Sequence, residues 1–159
     1  MRPLPALVFG LLILAACSSD PAPSSAQRSE TDLERLGRLI AVPPEARTGR
    51  WIMQPTLRGK GKQPEGADYV LFAALEPTPQ SWERLLTRLG PATPGRIRVP
   101  TTVASALLPP ATLAKARQVE HETELRGTSL RAFPFSRGVY RATKAIRIGD
   151  VLFVVARTL

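Results

Sequence analysis

His121 is the only histidine of the chain, and it stands among three carboxylates, Glu120, Glu122 and Glu124. Imidazole beside carboxylates can build a metal site or a Ser-His-acid triad, and paired carboxylates alone hydrolyse glycosides. The spacing favours none of these. Two histidines at H-E-x-x-H separation are absent, and no serine lies in a G-x-S-x-G elbow. If Gln118 to Arg126 is a strand, as the alternation of Val119, His121, Thr123 and Leu125 suggests, His121 points away from all three glutamates. A hydrolase would then rest on His121 without local support. The segment reads instead as a solvated acidic face pairing with nearby arginines, and no metal, cofactor or catalytic residue is assigned. A second constellation, Arg58-Gly59-Lys60-Gly61-Lys62, lacks the G-x-x-x-x-G-K-[ST] spacing of a phosphate loop, and a strand rather than a helix is expected after it. Its glycines still expose backbone donors beside fixed positive charge. Arg58, Lys60 and Lys62 are therefore candidates for contact with an anionic partner.

Cys17, the only cysteine, closes an N-terminal segment of a different kind. Arg2 precedes the apolar run Ala6 to Leu14, and the small residues Ala15 and Ala16 follow, the order of a secretory signal. The run is shorter than the ~20 apolar residues that span a bilayer. Leu14-Ala15-Ala16-Cys17 resembles the lipobox of bacterial lipoproteins, a resemblance confined to residues 1–17. It implies that the Cys17 thiol receives a diacylglycerol, that residues 1–16 are removed, and that the new amino group is acylated. Several chains anchor firmly where one binds only marginally. Ser18 stands where the family's inner-membrane retention signal has Asp, so the resemblance favours the outer membrane, facing the periplasm, over the inner one. With Cys17 lipidated, no thiol remains and no internal disulfide can form.

Loss of residues 1–16 removes Arg2 from 22 basic residues and leaves 21 against 13 acidic ones, an excess of eight. Such a charge attracts anionic partners. In an envelope these are phosphorylated headgroups, acidic polymer or an acidic protein face, and nucleic acid belongs to another compartment. Apolar residues make up 43% of the chain and aromatics only 6%, so the core must rest on Leu, Val, Ile and Ala. A cavity for a lipid or small ligand would have little large apolar wall to draw on.

These residues need a scaffold. Residues 17–28, rich in Ser, Pro and Ala, cannot offset the entropy of ordering and read as a tether. Residues 29–159 read as one domain. Leu33, Leu36, Leu39 and Ile40 share a helical face after Ser29 or Thr31 as N-cap, and Pro43-Pro44 ends the element. Residues 50–57 form a strand that Pro55 pushes to a sheet edge. The unbroken apolar runs Tyr69 to Leu75 and Val151 to Ala156 suggest strands covered on both faces. Thr78 caps a helix with Pro79 at its first position and Gly90-Pro91 at its end. Arg96 to Val99 reads as a strand, 101–108 and 110–117 as helical turns, and Leu130 to Phe135 as a weaker strand. Gly149-Asp150 suits a type II′ hairpin turn. Trp51 and Trp82 fall at core positions. The expected class is α+β, a largely antiparallel sheet with helices packed on one face.

The function expected is a membrane-anchored periplasmic lipoprotein with a non-catalytic binding or structural role, held to the membrane by its lipid and meeting an anionic envelope component or protein. Two alternatives are an accessory subunit that assists assembly of an outer-membrane complex and an envelope hydrolase using His121. Replacing the anchor residue, Cys17→Ser, is expected to abolish partitioning into the detergent phase of a phase-separation assay. A variant that still enters that phase would remove the lipid-anchor reading.

Overall fold

The runs that lack alternation occupy the middle of the sheet. A computed structural model describes residues 29–56 and 68–159. The signal segment, Cys17, the tether and Arg58, Lys60 and Lys62 lie outside the described residues. Strand β1 (Ala46–Pro55) pairs with β2 (Tyr69–Pro77), which pairs with β7 (Val151–Thr158); β6 (Tyr140–Ile148), β5 (Glu122–Leu130) and β3 (Thr93–Pro100) follow in that order. Every pairing is antiparallel, and the short β4 (Arg117–Val119) pairs with the start of β5. The α+β class expected from the sequence is the one the chain adopts, with Pro55 on an edge strand and β2 and β7 inside.

Successive side chains of a strand point to opposite faces. Val70, Phe72 and Ala74 of β2 join one buried cluster with Phe153 and Val155 of β7; Leu71, Ala73 and Leu75 join the other with Leu152, Val154 and Ala156. Both faces therefore need cover. Helices α1 (Leu33–Leu39) and α2 (Pro79–Leu89), with a 3-10 turn at Phe133–Phe135, bury Leu36, Trp82, Leu85, Leu89 and Phe135 on the second face. Helix α3 (Thr101–Leu107) buries Val103, Ala104 and Leu107 on the first, beside the single turn α4 (Pro110–Leu113). The helices, expected on one face, thus divide between the two. Each apolar face needs cover, and helices supply part of it on both.

Local chemistry explains the boundaries. Asp32, rather than Ser29 or Thr31, caps α1, its carboxylate accepting the Arg35 N–H at 2.9 Å. Pro79 opens α2, while the Thr78 hydroxyl pairs with that of Ser81 at 2.7 Å instead of capping the helix. Gly149 has φ 59° and Asp150 is not left-handed, as a type II′ turn between Ile148 and Val151 requires. Trp51 and Trp82 are core residues, 1% and 4% exposed.

The sequence-based strand over Gln118–Arg126 is corrected. It is a hairpin in which Val119 pairs with Glu122 across the turn residues Glu120 and His121. Glu120 takes a left-handed φ of 55°, which an unbranched polar side chain tolerates at some cost. Folding back sets Arg117 opposite Glu124 and lets the Thr123 hydroxyl reach Gln118 Oε1 at 3.0 Å. Leu130 ends β5, and the residues to Phe135, expected as a strand, form the 3-10 turn that Pro134 suits.

At the other end of β5, Gly127 lies against β6 so closely that a Cβ would sit 2.0 Å from the Arg147 carbonyl oxygen. Gly127→Ala is expected to cost about 3 kcal/mol by forcing the strands apart. Gly37, inside α1 with open space around it, is expected to gain roughly 0.5–1 kcal/mol as Ala. Urea midpoints of the two variants should move in opposite directions; parallel shifts would contradict the packing at β5 and β6.

Candidate functional site

Six strands in order span roughly 24 Å when flat, at about 4.8 Å per step. Yet Pro55 of β1 and Arg98 of β3, at opposite ends of that order, line one cavity of about 630 Å³. The sheet must curl for this to occur. Helix α3 fills the concave side at one end, and the cavity opens at the other, where β1 ends, β2 begins and β7 ends.

The cavity joins two kinds of residue. Val70, Phe72, Ile97 and Val155 form an apolar floor that continues the first core cluster. Lys144 and Arg157 stand on the same strand faces as this floor, Arg96 and Arg98 border it from the outer side of β3, and Glu122 is the one acid of the lining among the described residues. All four cations belong to exposed positions. Among the described residues, the side chains of Lys144 and Arg157 make neither an ion pair nor a hydrogen bond.

Each cation is placed by a local feature. In β3 the alternation of Arg96, Ile97, Arg98 and Val99 buries the aliphatic pair and leaves the arginines outside. In β6 the register slips between Ala142 and Lys144, so that Thr143 is an extra residue opposite β7. A bulge of this kind re-aims the side chains beside it. Thr143 and Lys144, though consecutive, therefore both line the cavity, with the Thr143 hydroxyl donating to the Val155 carbonyl at 3.3 Å.

Glu124 organises the arginines of β3 and β5. It is only 2% exposed, its Oε1 accepts the Arg126 Nε–H at 3.1 Å, and its Oε2 lies 3.6 Å from Arg98 Nε. The hydrogen bond from Arg126 lowers its carboxyl pKa; burial opposes this, and the charges of Arg126, Arg96 and Arg98 reinforce it. The expected solvated acid is thus a covered one, held ionised by the arginines around it.

A second cavity, of about 580 Å³, lies where β5 leaves β4 and has yet to meet β6. Its charges cancel, Lys115 and Arg126 against Glu76 and Asp150. That balance selects no class of ligand.

Of the residues that the sequence singled out for chemistry, His121 lies among the described ones. His121 is exposed in the β4–β5 turn and lines none of the cavities described; its carbonyl accepts the Thr101 N–H at 2.9 Å. Among the described residues no group of His, Cys, Asp and Glu is arranged to hold a metal, and no helix is long and apolar enough to cross a membrane. Arg58, Lys60 and Lys62 lie outside the described residues, in the segment joining Thr56 to Asp68; the Thr56 N–H donates to the Asp68 carbonyl at 2.6 Å and closes the hairpin at the cavity's edge. Sequence reasoning missed the four cations of the cavity. One signal pointed to Lys144: residues 125–149 carry six cations and no acid.

Because the folded carboxyl of Glu124 is depressed below its ordinary value of 4.5, its contribution to stability is complete above that value and is lost as pH falls through the lower, folded one. Glu124→Gln is therefore expected to lower the urea midpoint at neutral pH, with the gap to the parent closing on acidification below about 4.5. A gap independent of pH would contradict the ion-paired state. Comparison with known protein families, characterised proteins and solved structures finds no match to this chain, so the chemistry of the cavity itself carries the functional reading.

Proposed function

We propose that the protein is a lipid-anchored periplasmic binding module of the outer membrane, which presents a basic concavity to an anionic component of the envelope. The supporting observation is the cavity between β1 and β3, where Lys144 and Arg157 stand over one space with no partner among the described residues and Arg96 and Arg98 add positive charge at its β3 border. Charges kept unneutralised at a concave surface focus the field and raise the local concentration of anions. The reading is binding rather than catalysis because, among the described residues, the cavity lining pairs no nucleophile with a base, and its Thr143 hydroxyl is bonded to a main-chain carbonyl. The anchor at Cys17 comes from the lipobox resemblance and sets the compartment in which the anion is met.

A second reading, an accessory subunit of an outer-membrane assembly, draws on one observation. Phe133 and Val139, on the β5–β6 connection, are 74% and 63% exposed, and Arg131 and Arg137 flank them. Exposed apolar residues rimmed by charge suit a protein interface.

A photo-crosslinking residue at Thr143 of the full-length lipidated protein, activated in intact cells, distinguishes the two. The binding-module reading expects an adduct that disappears when Lys144 and Arg157 are both replaced by Glu. An adduct unchanged by that reversal, or none at Thr143 together with one from Phe133, would overturn it in favour of the subunit reading.

A further inference from the structure

The cavity between β1 and β3 has a floor that a simple anion would not use. Val70, Phe72, Ile97 and Val155 lie beneath the cations, each under a tenth exposed and continuous with the core. Inorganic phosphate would meet Lys144 and Arg157 and leave uncovered the small apolar area that these four side chains still expose. An acidic protein face would meet the same rim and likewise leave the floor uncovered. The volume of about 630 Å³ lies within the roughly 300–1,000 Å³ typical of sites that enclose a small organic ligand.

We infer that the cavity binds an amphiphile with an anionic head, its apolar chain against Val70, Phe72, Ile97 and Val155 and its phosphate or carboxylate against Lys144 and Arg157. Arg96 and Arg98 border the space from the outer side of β3, opposite to Ile97, and Glu124 restrains Arg98 by its ion pair, so Lys144 and Arg157, unpaired among the described residues and on the face of the floor, are the cations placed to meet a head group. The long aliphatic stems of these cations extend the apolar wall upward while their charged ends stay in water. In this way a chain poor in aromatic residues still builds a lipid-sized space. The inference rests on the binding-module reading and narrows its ligand to a lipid-like anion.

Native mass spectrometry of the lipidated full-length protein, released from dodecyl maltoside micelles, tests it. Dodecyl phosphate below its micellar concentration supplies head and chain, inorganic phosphate the head alone, and dodecyl maltoside the chain without charge. One dodecyl phosphate per protein is expected, with neither control bound. The double variant Lys144→Glu, Arg157→Glu is expected to weaken that binding at least ~10-fold. Both positions are exposed, and an unchanged urea midpoint checks that the fold survives. Release from nanodiscs of phosphatidylglycerol separates the sources: lipid retained from the bilayer assigns the ligand to the membrane, and dodecyl phosphate bound alone assigns it to a free amphiphile. Equal binding of inorganic phosphate would overturn the amphiphile and leave the anion-binding reading intact. Equal binding of dodecyl maltoside, or of dodecyl phosphate to the double variant, would remove the role of charge and with it both readings. If no probe binds, the amphiphile falls, and the cross-linking from Thr143 decides the broader reading by itself.

Discussion

Two strands buried on both faces constrain everything else in this domain. Strands β2 and β7 present aliphatic side chains on each side, so no flat two-layer arrangement can hide them. One face takes α1, α2 and the 3-10 turn. The other is covered by α3 at one end only, and the sheet curls to bring β3 back over the rest. Burial of apolar area at about 25 cal/mol per Å² makes that closure favourable, but the covering helix is only seven residues long. The part of the concave face that α3 does not reach is the cavity.

Charge follows the same geometry. An edge strand needs protection from pairing with another chain, and β3 carries Pro94, Pro100 and two arginines, devices that blunt an edge. Once the sheet curls, the β3 edge that carries Arg96 and Arg98 borders the space that Lys144 and Arg157 face from β6 and β7. A device that prevents aggregation in an open sheet thereby becomes part of a basic rim. Glu124 keeps this crowd of arginines compatible with folding, because a carboxylate between Arg98 and Arg126 offsets their mutual repulsion. The bulge at Thr143 adds to this on β6, bringing an extra residue to the face where Lys144, in step with Ile146 and Ile148, already stands opposite Val155.

What could be read from the sequence follows from the range of each interaction. The unbroken runs at Tyr69 and Val151, the Pro79 and Gly90 punctuation of α2 and the Gly149-Asp150 turn are set by neighbours in sequence, and they are legible there. Burial of β2 and β7 on both faces was legible too, but the division of helices that it entails was not drawn, since nothing local says which face a helix covers. The hairpin at Glu120-His121 was hidden because Glu is a poor turn residue by type. Its position is fixed by the Arg117–Glu124 and Thr123–Gln118 partners that only folding brings together. The cavity was hidden for the same reason at longer range: Ile97 is dozens of residues from Lys144 and Arg157, and the bulge beside Lys144 has no sequence signature. Sparse aromatics suggested too little wall for a sizeable cavity, whereas curvature of the sheet supplies one.

Intermolecular NOEs between the alkyl protons of dodecyl phosphate and the methyl groups of the lipidated protein test most directly whether curvature has made a ligand site. The account predicts contacts to Val70 and Val155, on the paired strands β2 and β7, together with Ile97 of β3, which a flat sheet would hold apart from them. Contacts confined to Val139 and its surroundings on the β5–β6 connection, or none to the floor residues, would contradict it.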